Sequence, residues 1–294
     1  MRIVQQLVAN GLIAGSAYAL VALGFSLIYT AARFFHFAHG AVYAAGAYSA
    51  FALVALLGFP VPVAVVVAVV VATLLGISME VGVYRPLRRR HTSVLVLLIS
   101  SLGIYIVIQN LISLGFGDDV KTLRNQVVSE GWLLSGARIT PVQLAMVVSA
   151  VTLFALTWWV ILAAKPGKAL RAVANDPELA LASGINSERV IVFAFAVGSA
   201  LAAIAAILVS FDVDMVPTMG LNALLMGAVA TIVGGVGSMP GAAVGGLLLG
   251  LAEQLGGWEI GSQWQDSIAF AILLLFLLFR PYGVFRRKLR KAEI

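Results

Sequence analysis

The run PVAVVVAVVVATLLGISMEVGV, Pro62–Val83, holds one ionisable residue, Glu80, in twenty-two positions. A helix needs about 20 consecutive apolar residues, within a range of about 17–25, to cross the hydrocarbon core of a bilayer. The run has that length and reads as a transmembrane helix. Working outward on the same ruler, further spans fall near 7–29 and 38–57 upstream, and near 94–114, 141–164, 189–211, 221–236 with 240–256, and 264–280 downstream. The expected architecture is an all-α, polytopic integral membrane protein, one domain over 1–294 with about 8–9 transmembrane segments, some short or broken. Bulk composition agrees: 61% of residues are hydrophobic and only 11% charged, with a mean hydropathy of +1.03. A soluble domain carries about 25% charged residues because its surface faces water.

Near the start, Arg2, an apolar run and Ala17–Tyr18–Ala19 imitate a cleaved signal peptide. The apolar run continues through Ile28, longer than a cleaved segment requires, so it is expected to be retained as the first span. Between the seventh and eighth segments stands GGVGSMPG (234–241), small and proline-containing, which suits broken or tightly turned helices. Both one crossing and two fit residues 221–256. Cysteine is absent, which excludes disulfides, thiolate chemistry and Cys-based metal sites.

The basic balance, pI near 9.8, does not point to nucleic acid, because the cations cluster at the ends of apolar runs. RPLRRRH (85–91), the stretch 165–189 and RRKLRK (286–291) therefore read as cytoplasmic. Of the 19 basic residues, Arg2, Lys121, Arg124 and Arg138 fall outside on this map and the other fifteen inside. The N-terminus and the loop 115–140 are then extracytoplasmic and the C-terminus cytoplasmic.

One stretch breaks the apolar pattern: PGKALRAVANDPELALASGINSERV, Pro166–Val190. Asn175 or Asp176 can cap a short helix, Pro177 suits its first turn and Glu178 complements its dipole. Gly184 can close it in the left-handed conformation, and Asn186 or Ser187 can cap the next span. An ordinary polar loop and a docking knob for another protein's groove both fit these signals.

Within it, ELALASG (178–184) resembles the EAA-x-x-x-G loop of ABC importer permeases, with Leu179 where the first Ala is usual and without the later Ile-x-Leu-Pro element. FHFAHGAVYAAGAY (35–48), RPLR (85–88) and GGVGSMPGAAVGGLLLG (234–250) look like the H-type permeases of branched-chain amino-acid ABC transporters, and the resemblance runs over essentially the whole chain. It implies an ABC importer permease fold in the bacterial inner membrane, forming half of a translocation pathway. It implies as partners a second permease subunit, two ATP-binding subunits that hold ATP and Mg, and an extracytoplasmic substrate-binding protein met by the outer loops 115–140 and 212–222. The loop 165–190 would be the coupling element, with Glu178, Ala180 and Gly184 carried over by motif and Lys168, Arg171, Asn175 and Asp176 by proximity. Substrates of similar permeases include branched-chain amino acids, urea, short amides and other amino acids.

Other constellations are weaker. His36 and His39 stand three apart in FFHFAHG, but further ligands are lacking, so no metal is expected. His39 and Gly40 are candidate pathway residues at a half-helix N-terminus, the arrangement transporters aim at anionic groups; a plain helix end fits equally. Gly237, Gly241 and Gly245 form a small-xxx-small series suited to close helix packing. Pro240 and the absence of a βαβ unit exclude a dinucleotide fingerprint there. A faint likeness links 38–47 with 239–248. TIVGG (231–235) lacks the tyrosine of a potassium filter. No P-loop, nucleophile–base pair or midplane proton relay is apparent, so the chain is expected to be a transport subunit, neither enzyme nor cofactor binder. A self-sufficient secondary carrier is the main reading from another class; a membrane-embedded enzyme or assembly subunit is a further one.

Overall fold

The computed structural model describes residues 2–123, 131–134 and 136–285. Arg124 of the expected outer loop and the closing RRKLRK cluster lie outside the described residues. Among the described residues twelve α-helices run α1 (Arg2–Ala32), α2 (His39–Phe51), α3 (Val61–Met79), α4 (Arg85–Arg89), α5 (Val94–Phe116), α6 (Pro141–Ala163), α7 (Lys165–Asn175), α8 (Pro177–Ala182), α9 (Ser187–Asp212), α10 (Met219–Gly234), α11 (Met239–Ile260) and α12 (Gln265–Phe279). Wider turns with i→i+5 bonding extend α2 over Ala52–Leu56 and join α3 to α4 over Glu80–Tyr84. Seven helical stretches among the described residues are long and apolar enough to span a bilayer alone. The pair α10–α11, bent by 116°, passes the same test together. Residues 221–256 thus form a sharply folded pair, because Gly235 (φ +114) and Gly237 (φ +80) turn the chain and Ser238 caps α11 through the Gly241 N–H.

Small residues set the packing. On α3, Ala64, Ala68, Ala72 and Gly76 are buried at a strict four-residue spacing, while the valines between them stay largely exposed. That seam lies against α9, where a methyl group on Gly76 would strike Ser199. Without a water-driven hydrophobic effect between helices in lipid, such close backbone approach supplies the association. Likewise Gly11 and Gly15 of α1 meet Leu251 and Leu247 of α11 in antiparallel register. The core therefore centres on α1, α9 and α2, whereas α3, α5, α6 and α12 present wide apolar faces outward.

The two halves of the chain repeat one motif. Both α1 and α9 end in a six-residue break, 33–38 and 213–218, followed by a helix. Each break enters its helix the same way: the His39 N–H donates to His36 O (3.1 Å) and the Met219 N–H to Val216 O (3.0 Å). Ala38 (φ −66, ψ −3) and Thr218 (φ −85, ψ −5) share one conformation. The counterpart of 38–47 is therefore the stretch from 218, and the likeness of 38–47 to 239–248 is not the repeat the structure contains.

Within the expected outer loop 115–140, Trp132–Leu134 pairs antiparallel with Ala137–Ile139. Gln6 of α1 secures this hairpin, accepting from the Arg138 N–H (2.8 Å) and donating to the Arg138 carbonyl (3.1 Å). The ends of α9 separate the cations: Arg85 and Arg89 gather at its start around Glu188, and Lys121 lies near its finish through the Lys121–Met215 bridge.

Candidate functional site: the basic elbow and the half-helix junction

At Ala164 the chain leaves α6 in an extended conformation (φ −77, ψ 153) and re-enters a helix at Lys165. Gly167, Leu170, Val173 and Ala174 form the buried stripe of this amphipathic α7, and Lys168 and Asn175 are exposed. Gly167 is required for the fold-back, since a methyl group there would run into the Val160 carbonyl and the Ile161 backbone. Asp176 stops α7 and caps α8, accepting from the Glu178 N–H (3.0 Å) and the Leu179 N–H (2.9 Å). Pro177 fills the first turn, where its missing N–H costs nothing. Gly184 (φ +81) then reverses the chain, and the Ile185 N–H donates to Ala180 O (2.9 Å), satisfying an end carbonyl. Asn186 caps α9 through the Arg189 N–H (3.1 Å). The result is a rigid elbow from which Leu179 (65% exposed) and Leu181 (66%) project.

Two routes lead from the elbow to the break after α1, one a direct hydrogen bond and the other polar contacts joined by the helix backbone of 80–89. On the first, Arg33, itself left-handed at φ 60, donates through Nη2 to the Ala174 carbonyl in the last turn of α7. On the second, Glu188 in the first turn of α9 accepts from Arg89 (2.8 and 2.9 Å) and pairs with Arg85 (3.5 Å). One turn away, Arg88 grips the fully buried Glu80 with two N–H groups, one at 3.0 Å. The Tyr84 hydroxyl then lies 3.2 Å from His36 Nδ1, inside the break. Loops of this kind transmit force only if their backbone is tied down, and this one is: the Phe37 N–H donates to Ser101 Oγ of α5 (3.1 Å).

Beyond the break, α2 and α10 cross at their first turns. Gly40 and Gly220 sit face to face, each carbonyl occupying the space a methyl group on the other would need. His39 packs its ring against Gly24 of α1, and its centroid lies 6.0 Å from that of His36. Phe34, Tyr84 and Phe195 wall in His36 with centroids 4.9–6.1 Å away. Two helix N-termini thus converge within the bundle.

The sequence-predicted residues fall as follows. Lys168, Asn175, Asp176, Glu178 and Gly184 are exposed along the elbow, and Ala180 (3% exposed) faces inward. Arg171 is half-buried and donates to the Leu162 carbonyl (3.2 Å). His39 and Gly40 are buried at the junction. Gly241 and Gly245 lie against the Gly234 and Ala230 carbonyls of α10, whereas Gly237 belongs to the turn between the two helices. Sequence reasoning missed Leu179 and Leu181 as the projecting pair, although two leucines in a polar loop were a visible signal. It also missed Arg33, a lone cation between two spans. The Arg89–Glu188 pair, 99 positions apart, left no signal at all. No group of three or more His, Asp or Glu side chains able to hold a metal occurs among the described residues.

Broken helices meeting inside a multi-pass bundle, with a capped elbow tied to one of the breaks, are the anatomy of a membrane permease. Residues 7–277 match the family described as "Branched-chain amino acid transport system / permease component", and the chain belongs to that family. The high-affinity branched-chain amino acid transport system permease protein BraD of Pseudomonas aeruginosa is 39% identical, over 96% of this chain and 95% of the relative. LivH of Escherichia coli strain K12, named for the same transport system, is 36% identical over 95% and 94%. A probable branched-chain amino acid transport permease protein LivH of Methanocaldococcus jannaschii is 28% identical over 95% and 92%. No solved structure gives a significant match.

Proposed function

We propose that this chain is the membrane-spanning permease subunit of an ATP-driven importer for branched-chain amino acids, forming half of the translocation pathway. The basic end, with Arg33, Arg85, Arg88, Arg89 and Lys168, faces the cytoplasm of the bacterial inner membrane, by the bias of cations toward that side. A second permease subunit completes the pathway, two ATP-binding subunits dock at the elbow 165–190, and a substrate-binding protein meets the opposite end. Partner subunits that bind ATP and Mg supply the free energy; this chain receives it as displacement of the elbow.

The observation that carries the reading is the pair of routes from elbow to break. Leu179 and Leu181 fit the groove of a partner, and burying the exposed two thirds of each contributes about 1–2 kcal/mol. Lys168, Asn175, Asp176 and Glu178 supply the polar rim, and Gly184 keeps the α8–α9 turn tight. Displacement of α7 pulls on Arg33, and displacement of the α9 start pulls on Arg85 and Arg89. Both act on residues 33–38, which hold His39 and Gly40 against Gly220. A small shift there opens or closes the contact between the first turns of α2 and α10, because packed interfaces have discrete arrangements.

Reconstitution in liposomes tests this reading. Uptake of leucine, isoleucine or valine by the complex should require ATP and the binding protein. Uptake by this chain alone, without ATPase subunits, identifies a self-sufficient carrier and overturns the proposal.

A further inference from the structure

Against the half-helix junction lies a cavity of about 210 Å³ whose lining residues are all apolar. The break builds one wall. Its side chains alternate, with Phe34, His36 and Ala38 buried and Phe35 and Phe37 half-exposed on the other side, facing the cavity. Leu225 and Ala228 of α10 and Phe270 of α12 form the opposite walls. Leu224 connects the cavity to the junction, since it lines the one and touches Gly40 at the other.

One helical turn before Leu225 stands Asn222, and one turn before Phe270 stands Asp266. Their side chains meet one turn beyond the lining residues, the Asn222 amide nitrogen 3.3 and 3.4 Å from the carboxylate oxygens. Both are exposed, and Asp266 belongs to the last candidate span, Ser262–Phe279. No ion pair to Asp266 occurs among the described residues. A carboxylate on a lipid face is expensive, and ionisable groups within spans as a rule face a cavity or a pathway. The pocket is also small beside ligand sites of about 300–1,000 Å³, so it takes one apolar side chain and not a whole ligand. An apolar wall gives a urea or a sugar hydroxyl nothing to bond to.

Resting on the permease reading, we propose that this cavity is the side-chain subsite of the pathway, taking the branched aliphatic side chain of an α-amino acid while Asp266, steadied by Asn222, faces its ammonium group. The discriminating position is Ala228, whose enlargement fills the slot.

The test uses the complete complex in liposomes with ATP and the binding protein, comparing leucine with valine. With Ala228→Phe, leucine uptake should fall at least 10-fold and valine uptake several-fold less, with all subunits still co-purifying. Phe270→Ala, at an exposed face, widens the slot and should raise uptake of phenylalanine relative to leucine; it carries the test if Ala228→Phe does not assemble. Asp266→Asn should lower uptake of leucine and valine equally, about 10-fold. Unchanged selectivity in both slot variants means that an acyl chain fills the cavity, and overturns the proposal. Loss of the partner permease from Phe270→Ala, which only removes atoms from an exposed face, means that the cavity is a subunit interface, with the same consequence. If the wild-type complex transports neither amino acid, the permease reading itself has failed, a result distinct from these.

Discussion

Removing Arg88 should destabilise this protein more than any other single change at its basic end. Arg88→Leu strips the partner from Glu80, whose side chain has no exposure, while Arg88 itself is 21% exposed. Breaking a buried pair by deleting one partner costs about 3–5 kcal/mol, whereas replacing both by apolar residues is often neutral or stabilising. Partial exposure of Arg88 puts the expected loss at the lower end, about 3 kcal/mol. At about 2–4 °C per kcal/mol for domains of 150–250 residues, the unfolding midpoint should fall by about 6–12 °C. The five tryptophans provide the signal for thermal unfolding in detergent. The double variant Glu80→Leu/Arg88→Leu should recover to within about 1 kcal/mol of wild type. Equal midpoints for the single and double variants, or a single variant as stable as wild type, would refute the reasoning that a buried carboxylate is held by this one guanidinium.

Other changes should separate stability from coupling. Arg33→Gly removes a charge-assisted bond of about 1.5–3 kcal/mol but relieves a left-handed residue that costs about 1–2 kcal/mol. Its midpoint should therefore stay near wild type, while substrate moved per ATP hydrolysed in liposomes falls. Gly220→Val drives a side chain into the Gly40 carbonyl and should cost about 1–3 kcal/mol, read as a lower midpoint together with lost transport. Leu179→Ser and Leu181→Ser should each weaken ATPase capture by about 5–30-fold, because about 1–2 kcal/mol of burial is lost per leucine, with the midpoint unchanged. Arg89→Gln, at an exposed and solvent-screened pair, should leave the midpoint close to that of wild type, measured by the same unfolding assay.

Much of the fold was legible because lipid imposes a simple rule. Every span needs a long apolar run, and the predicted 62–83, 94–114 and 141–164 correspond to helices at Val61–Met79, Val94–Phe116 and Pro141–Ala163. The caps were legible too, since Asp176, Pro177, Gly184 and Asn186 act within three or four residues of themselves. The paired breaks were not. Residues 33–38 and 213–218 close in the same turn but begin differently, Arg33 left-handed and Val213 extended, and share little sequence; backbone geometry leaves a weak trace where tertiary neighbours such as Ser101 satisfy the break.

At the site, the elbow was legible as an island of charge, but α7 was not predicted as a helix. Its stripe of Gly167, Leu170, Val173 and Ala174 needs α6 as a surface, and only the fold supplies that. Leu179 was read as a departure from a motif, yet in the structure it projects beside Leu181 while Ala180 faces inward. A six-residue helix is too short for its sequence to tell which side is buried. The routes through Arg33 and Glu188 depend on pairings 141 and 99 positions apart, which no local pattern encodes.

The central claim is that the elbow is where ATP-hydrolysing subunits grip this chain. The chain contains no cysteine, so single introduced cysteines report position without background. Leu181→Cys on the elbow and Val213→Cys beyond the far end of α9 should be compared for disulfide cross-linking to cysteines placed in the partner ATPase. The account predicts a cross-link from Leu181→Cys and none from Val213→Cys. A cross-link from Val213→Cys, or none from Leu181→Cys in a complex that still transports, would contradict it.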